Sequence, residues 1–189
     1  MLTFAQIFNF IDSNGPVITC PDDYTVASNS LECSADLTLP FIIATDACNQ
    51  LDRIDVDYPG GFMSNGNGAT INLPMGDNLV TYIAYDILGN SSTCSFTVSV
   101  EDLDAPTAIC ETYTVASIPQ EGFVDIDAFV FDDGSYDYCG LEKYEVRRMT
   151  DGCDNDDQFF GESIRVCCED VGIVTVDIYF TKISFRVWQ

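Results

Sequence analysis

Residues 151–157 read Asp-Gly-Cys-Asp-Asn-Asp-Asp and set Asp151, Asp154, Asp156 and Asp157 beside one asparagine. That density of oxygens suits calcium, which takes about 6–8 oxygen ligands on flexible loops. The run lacks the twelve-residue spacing and closing glutamate of an EF-hand, so a solvated acidic loop explains it as well. Asp132, Asp133 and Asp137 form a lesser cluster, as do Asp46, Asp52, Asp55 and Asp57. Asp46, Asp86 and Asp137 each lie in a turn-rich stretch, where a carboxylate ordinarily accepts backbone amides.

The other reactive residue type is cysteine, nine in 189 residues, with no histidine anywhere. No Cys-x-x-Cys pair occurs, so zinc clips and thioredoxin-like redox pairs are excluded. Disulfides in an oxidising compartment are the economical reading. Without histidine, Ser-His-Asp and Cys-His catalysis is impossible. No glycine-rich phosphate loop appears, and no apolar pocket segment singles out a carboxylate pair for glycosidase work. The expected class is a non-enzyme.

Charge narrows the partners. Seven Lys+Arg stand against 31 Asp+Glu, a net −24. Such a field repels phosphate backbones and anionic membranes, so nucleic acid is excluded as a partner. It draws cations, calcium foremost, and it also serves solubility outside the cell. Arg147-Arg148 with Lys143 is the one basic cluster, fitted to a salt-bridged surface. Asn90-Ser-Ser is a glycosylation sequon, although a turn explains Asn90 equally. No run of about 18 apolar residues could span a membrane. Residues 1–10 are apolar but lack the basic start and small-residue cleavage site of an export signal. A composition of the extracellular kind without that signal implies a segment of a longer exported precursor.

Strands must position these groups. Residues 24–27, 33–39, 51–56, 69–73, 79–85 and 95–100 show β-branched and aromatic residues, often alternating with polar ones. Breaks at Asn14-Gly15-Pro16, Pro59-Gly60-Gly61, residues 65–68, residues 75–78 and Gly89-Asn90 give the spacing of a sandwich. No stretch holds a helical period. Tyr-Thr-Val-Ala-Ser occurs at residues 24–28 and again at 113–117, each after a Pro-x-x-x-Cys segment. One small domain is therefore repeated in tandem. The expected fold is all-β: two tandem immunoglobulin-like β-sandwiches, the second incomplete at its C-terminus. The boundaries are 1–13 as a remnant of a preceding repeat, 14–104 as the first domain and 105–189 as the second.

Residues 15–105 resemble the hyalin repeat (HYR) domain, an extracellular immunoglobulin-like module. The likeness rests on Pro16-Val-Ile-Thr-Cys-Pro21, Cys33, Ala44-Thr-Asp-Ala-Cys48, Asn78-Leu-Val-Thr-Tyr-Ile-Ala-Tyr-Asp86 and residues 89–100, closed by Asp104-Ala-Pro106. The second half is similar to a related module found beside such repeats in Bacteroidota surface proteins, through residues 131–140, Tyr144-Glu-Val-Arg-Arg148 and residues 166–172. The resemblance implies adhesion or structural spacing outside the cell, with other repeats and a surface glycan or protein ligand as partners. A calcium-dependent carbohydrate-binding module serving an enzyme is the rival reading.

The internal repeat aligns Cys20 with Cys110, and the Asp-x-Cys turn at Cys48 with that at Cys139. The simplest bridges are then Cys20–Cys48 and Cys110–Cys139, with Cys33–Cys94 second in the first domain. Four cysteines permit three pairings, so the set stays open. Cys153, Cys167 and Cys168 leave an odd thiol. After residues 174–180 the second domain has no Gly-Asn turn and no further cysteine, which points to a missing closing strand. A divergent last strand at residues 183–188 is the alternative.

Overall fold

The computed structural model describes residues 11–48, 50–153 and 159–182. The chain divides into two compact units, the first holding residues up to 29 and 33–101, the second residues 30–32 and those from 102 on. Every regular element among the described residues is a strand or a short 3-10 turn, so the all-β expectation holds.

The first unit contains β1 (Val17–Ile18), β2 (Tyr24–Ala27), β3 (Ser34–Thr38), β4 (Ala44–Thr45), β5 (Leu51–Tyr58), β6 (Gly61–Met63), β7 (Thr70–Pro74), β8 (Gly76–Asp86) and β9 (Ser91–Glu101). Five of them form a sheet in the order β2-β9-β8-β5-β6. All its neighbours are antiparallel except β2, which runs parallel to β9. The β3–β7 and β1–β4 ladders are separate.

Alternation decides which side chains enter the core. Along β8, Asn78, Val80, Tyr82, Ala84 and Asp86 are buried while Leu79 faces solvent. From β9 come Phe96, Val98 and Val100, and from the β3–β7 ladder Ala35, Ile71 and Leu73. Full burial of side chains such as Val80 and Val98 contributes about 1.5–3 kcal/mol each. Tyr82 keeps its polar end satisfied by donating from Oη to the Pro40 carbonyl at 2.6 Å, and burial pushes its phenol up to about 12. Its ring lies 5.7 Å from Phe96, which in turn stacks on Tyr24 at 6.0 Å.

The second unit contains β10 (Phe123–Asp127), β11 (Leu141–Arg148), β12 (Ser163–Cys167) and β13 (Val176–Lys182), with 3-10 turns at Ala128–Phe131 and Cys168–Asp170. Two antiparallel ladders, β10–β12 and β11–β13, surround a core of Ala128, Phe131, Val146 and Ile164. Both are antiparallel, as are β3–β7 and β5–β8. Even the irregularity recurs, between Leu51 and Arg53 in one unit and between Leu141 and Lys143 in the other. Among the described residues no strand of the second unit corresponds to β2 or β9.

Candidate functional site

The densest polar constellation lies at one end of the first unit, where three turns meet. Asp86 closes the β8–β9 hairpin. Its Oδ1 accepts the amides of Leu88 at 2.9 Å and Asn90 at 2.8 Å, and its Oδ2 accepts from the Asn90 side-chain nitrogen at 2.7 Å. Burial works to raise the Asp86 carboxyl, but these donors outweigh it and hold the group below its ordinary value. Asn90 also donates to the Asp12 carbonyl at 3.2 Å, and Ile87 donates its amide to the Gln50 carbonyl at 2.9 Å. The Asn90 nitrogen that a glycan would need is thus committed to the turn.

Asp46 makes the second turn by accepting the amides of Cys48 at 2.9 Å and Gln50 at 3.3 Å. Asp12 makes the third by accepting the Asn14 amide at 3.0 Å. Carboxylate oxygens of Asp12 and Asp46 and the Cys48 sulfur all lie within 4.8 Å of one another. The Asp12 carboxylate accepts from the Cys48 thiol and raises its pKa, with the charges of Asp12, Asp46 and Asp86 adding to the effect. The group is therefore two carboxylates and a protonated thiol, short of the oxygen set that calcium takes. Its demonstrated work is to tie three turns together.

In the second unit, carboxylate oxygens of Asp102 and Asp137 and the Cys139 sulfur likewise lie within 4.8 Å of one another. Asp154, Asp156 and Asp157 lie outside the described residues, and Asp151 is exposed. Asp55 is buried at 2% exposure, where it accepts from Arg53 at 3.1 Å, Ser64 at 3.0 Å and the Asn65 amide at 3.0 Å. Burial raises its carboxyl and those donors more than reverse the shift. Asn65 has φ 55°, so Asp55 holds a left-handed turn. Asp52 pairs with Arg53 at 2.8 Å. Asp137 accepts the Cys139 amide at 2.8 Å, and Asp132 accepts the Ser135 amide at 2.9 Å.

The cysteine pairing requires correction. Cys20 bonds to Cys94, not Cys48, so neither Cys20–Cys48 nor Cys33–Cys94 forms. Register is the reason. In the β1–β4 ladder Val17 opposes Thr45, so continuing it sets Cys20 opposite Ile42 and Cys48 opposite Asn14. Cys20 and Cys48 therefore leave that two-pair ladder at opposite ends, Cys20 beyond the Ile18–Ala44 pair and Cys48 beyond the Val17–Thr45 pair. The parallel pairing of β2 with β9 instead carries the entry segment to Cys94. Cys33 precedes β3, whose partner is β7. Cys110 is likewise free, which removes Cys110–Cys139. Cys153 bonds to Cys167, and Cys48, Cys110 and Cys168 are exposed free thiols. Neither Cys33 nor Cys139 is a free thiol.

The basic cluster splits by face. Arg147 pairs with half-buried Asp177 at 2.7 Å, and Lys143 pairs with Glu145 at 2.6 Å. Arg148 turns inward. Its side chain is 2% exposed and clamps Asp170 through bonds of 2.6 and 2.9 Å. The Arg148 guanidinium and the Cys167 amide hold the Asp170 carboxyl at about 2, against the smaller upward push of burial. The expectation of a wholly surface cluster missed this pair, because adjacent strand residues face opposite sides and sequence alone does not say which is inside.

No helix among the described residues is long and apolar enough to cross a membrane. The chain is 30% identical over 95 residues to the Sushi, von Willebrand factor type A, EGF and pentraxin domain-containing protein 1 of Mus musculus. It is 28% identical over 95 residues to the protein of the same name in Rattus norvegicus. Each match covers 50% of this chain and 2% of the relative, so the chain spans a small fraction of the length of these proteins. The strand order, the disulfide from entry segment to last strand and the stitched turns all fall within residues 11–100, and those residues match the HYR domain.

Proposed function

We propose that this chain is a non-catalytic segment of an extracellular repeat array, acting as a spacer and interaction module within a larger cell-surface or secreted protein. The observation that carries the reading is the Cys20–Cys94 bridge, which joins the two ends of the HYR match across 74 residues. Tension entering near residue 11 and leaving near residue 101 passes through the bridge rather than through the core. The relatives with matching stretches are named for sushi, von Willebrand factor type A, EGF and pentraxin domains, the composition of a multi-module protein. Disulfides of this kind persist in oxidising compartments.

The test is compartmental. The chain is expressed behind a cleavable export signal and, separately, in a reducing cytosol, and free thiols are titrated without reduction. The exported protein is expected to show free thiols at Cys48, Cys110 and Cys168, with Cys20 and Cys94 recovered as one linked peptide. The cytosolic protein is expected to be less stable and to regain stability on oxidation. Equal stability of the fully reduced and oxidised forms would argue against an extracellular design.

A further inference from the structure

The turn that carries Cys48 is built a second time. Asp12 and Asp102 stand before Pro16 and Pro106 at the same spacing. Each accepts the amide two residues on, from Asn14 at 3.0 Å and from Asp104 at 2.9 Å. Asp46 and Asp137 accept the amides of Cys48 and Cys139 at 2.9 and 2.8 Å. The strand pairs beside them agree as well, since Val17 opposes Thr45 and Thr107 opposes Tyr136. In both units two carboxylates and one sulfur end within 4.8 Å of one another.

The two copies differ in one chemical respect. Cys139 is in a disulfide and half-buried, whereas Cys48 is a free thiol and exposed. The second unit also takes in residues 30–32, and the Cys139 sulfur lies 3.9 Å from the Glu32 carbonyl oxygen. That segment is the tip of a loop closed by the Asn29 amide, which donates to the Ser34 carbonyl at 2.8 Å. Cys33 follows it directly and is oxidised too. An Asp-x-Cys turn of this build therefore holds its cysteine oxidised with a Ser-Leu-Glu loop tip beside it. The same turn in the first unit presents its cysteine reduced and uncovered.

We propose that Cys48 accepts a disulfide from another HYR module, whose loop equivalent to residues 30–33 seats on the Asp46–Cys48 turn and bonds through its cysteine. The proposal deepens the array reading and rests on it, because a second loop of this kind is supplied by a second module. The covalent step is thiol–disulfide exchange. The Cys48 thiol releases its proton to solvent, and the thiolate attacks the loop cysteine, which carries glutathione in a mixed disulfide. The new S–S bond forms as the old one breaks, and glutathione leaves as a thiolate with the electron pair. Asp12 adds selectivity: it accepts from the Cys48 thiol and, with the charges of Asp46 and Asp86, raises its pKa. Small disulfides then meet a protonated, slow thiol. A loop seated on the turn overcomes that through its high effective concentration.

The full 189-residue chain, oxidised at its own bridges, is incubated with a synthetic peptide of residues 28–36 whose cysteine carries glutathione. Peptide adducts are mapped to each thiol by mass spectrometry over time. Cys48 is expected to take the peptide at least about tenfold faster than Cys110 or Cys168. Glutathione disulfide alone is expected to show no preference for Cys48, and a scrambled peptide is expected to lose it. Equal rates at Cys48 for the ordered and scrambled peptides overturn the proposal, as does capture at Cys48 no faster than at Cys110. The array reading has its own test in the stability of the reduced and oxidised chain. A chain that is stabilised by oxidation but whose Cys48 ignores the ordered peptide sinks this proposal and spares the array.

Discussion

Replacing both Cys20 and Cys94 with serine removes a cross-link between residues 74 apart. The chain-entropy relation for a loop of that size gives about 4.5 kcal/mol of lost stability, nearly all from the greater freedom of the unfolded chain. For a domain of this size the melting temperature of the first unit would fall by about 20 °C or more. The core remains, since Val80, Tyr82, Phe96 and Val98 are buried whether or not the sulfurs are joined. The variant should therefore fold in the cold and melt early. The assay is calorimetry or urea unfolding of the oxidised protein beside Cys48→Ser. Cys48 forms no disulfide and serine keeps a donor for Asp12, so its replacement should change stability by less than about 0.5 kcal/mol. A loss below about 1 kcal/mol for the double variant, or a large loss for Cys48→Ser, would refute the register argument that joins Cys20 to β9.

Asp170→Asn leaves the Arg148 guanidinium buried without its counter-charge, a change that costs about 3–5 kcal/mol and is read as lower urea resistance of the second unit. Because the folded pKa of Asp170 is depressed to about 2, its contribution of about 2 kcal/mol is fully present above pH 4 and is lost as pH falls through 2. Asp86 is depressed in the same direction, so acid should also loosen the β8–β9 hairpin, visible as faster amide exchange at Leu88 and Asn90. Tyr82→Phe strands the Pro40 carbonyl and should cost about 1–2 kcal/mol by urea unfolding. Gly15→Ala would bring its Cβ to 2.5 Å from the Ser91 carbonyl oxygen and is expected to destabilise the first unit by about 1–3 kcal/mol in the same assay.

The strands of the first unit are legible because one face is dry and the other wet. Ser-Phe-Thr-Val-Ser-Val at residues 95–100 alternates as a half-buried strand must, and β9 buries Phe96, Val98 and Val100. Turn aspartates are legible for a similar local reason: Asp46, Asp86 and Asp137 reach amides only two to four residues away. Cysteine pairing is not legible, since it depends on which strands become neighbours and in what register. The duplicated pentapeptide misleads in the same way. Its residues match in both units, yet Tyr24 and Val26 pack on the core of the first while Tyr113 and Val115 face solvent in the second. Arg148 and Asp170 escape notice because they are 22 residues apart and a local pattern does not reveal which arginine faces inward.

The central claim is that the first unit is a covalently clamped spacer, and pulling on single molecules tests it most directly. With the full chain held by handles at its two ends, the oxidised protein should never release the segment between Cys20 and Cys94. After reduction the same molecule should lengthen by at least about 250 Å more, the extended span of 74 residues. Equal final lengths before and after reduction would contradict the account.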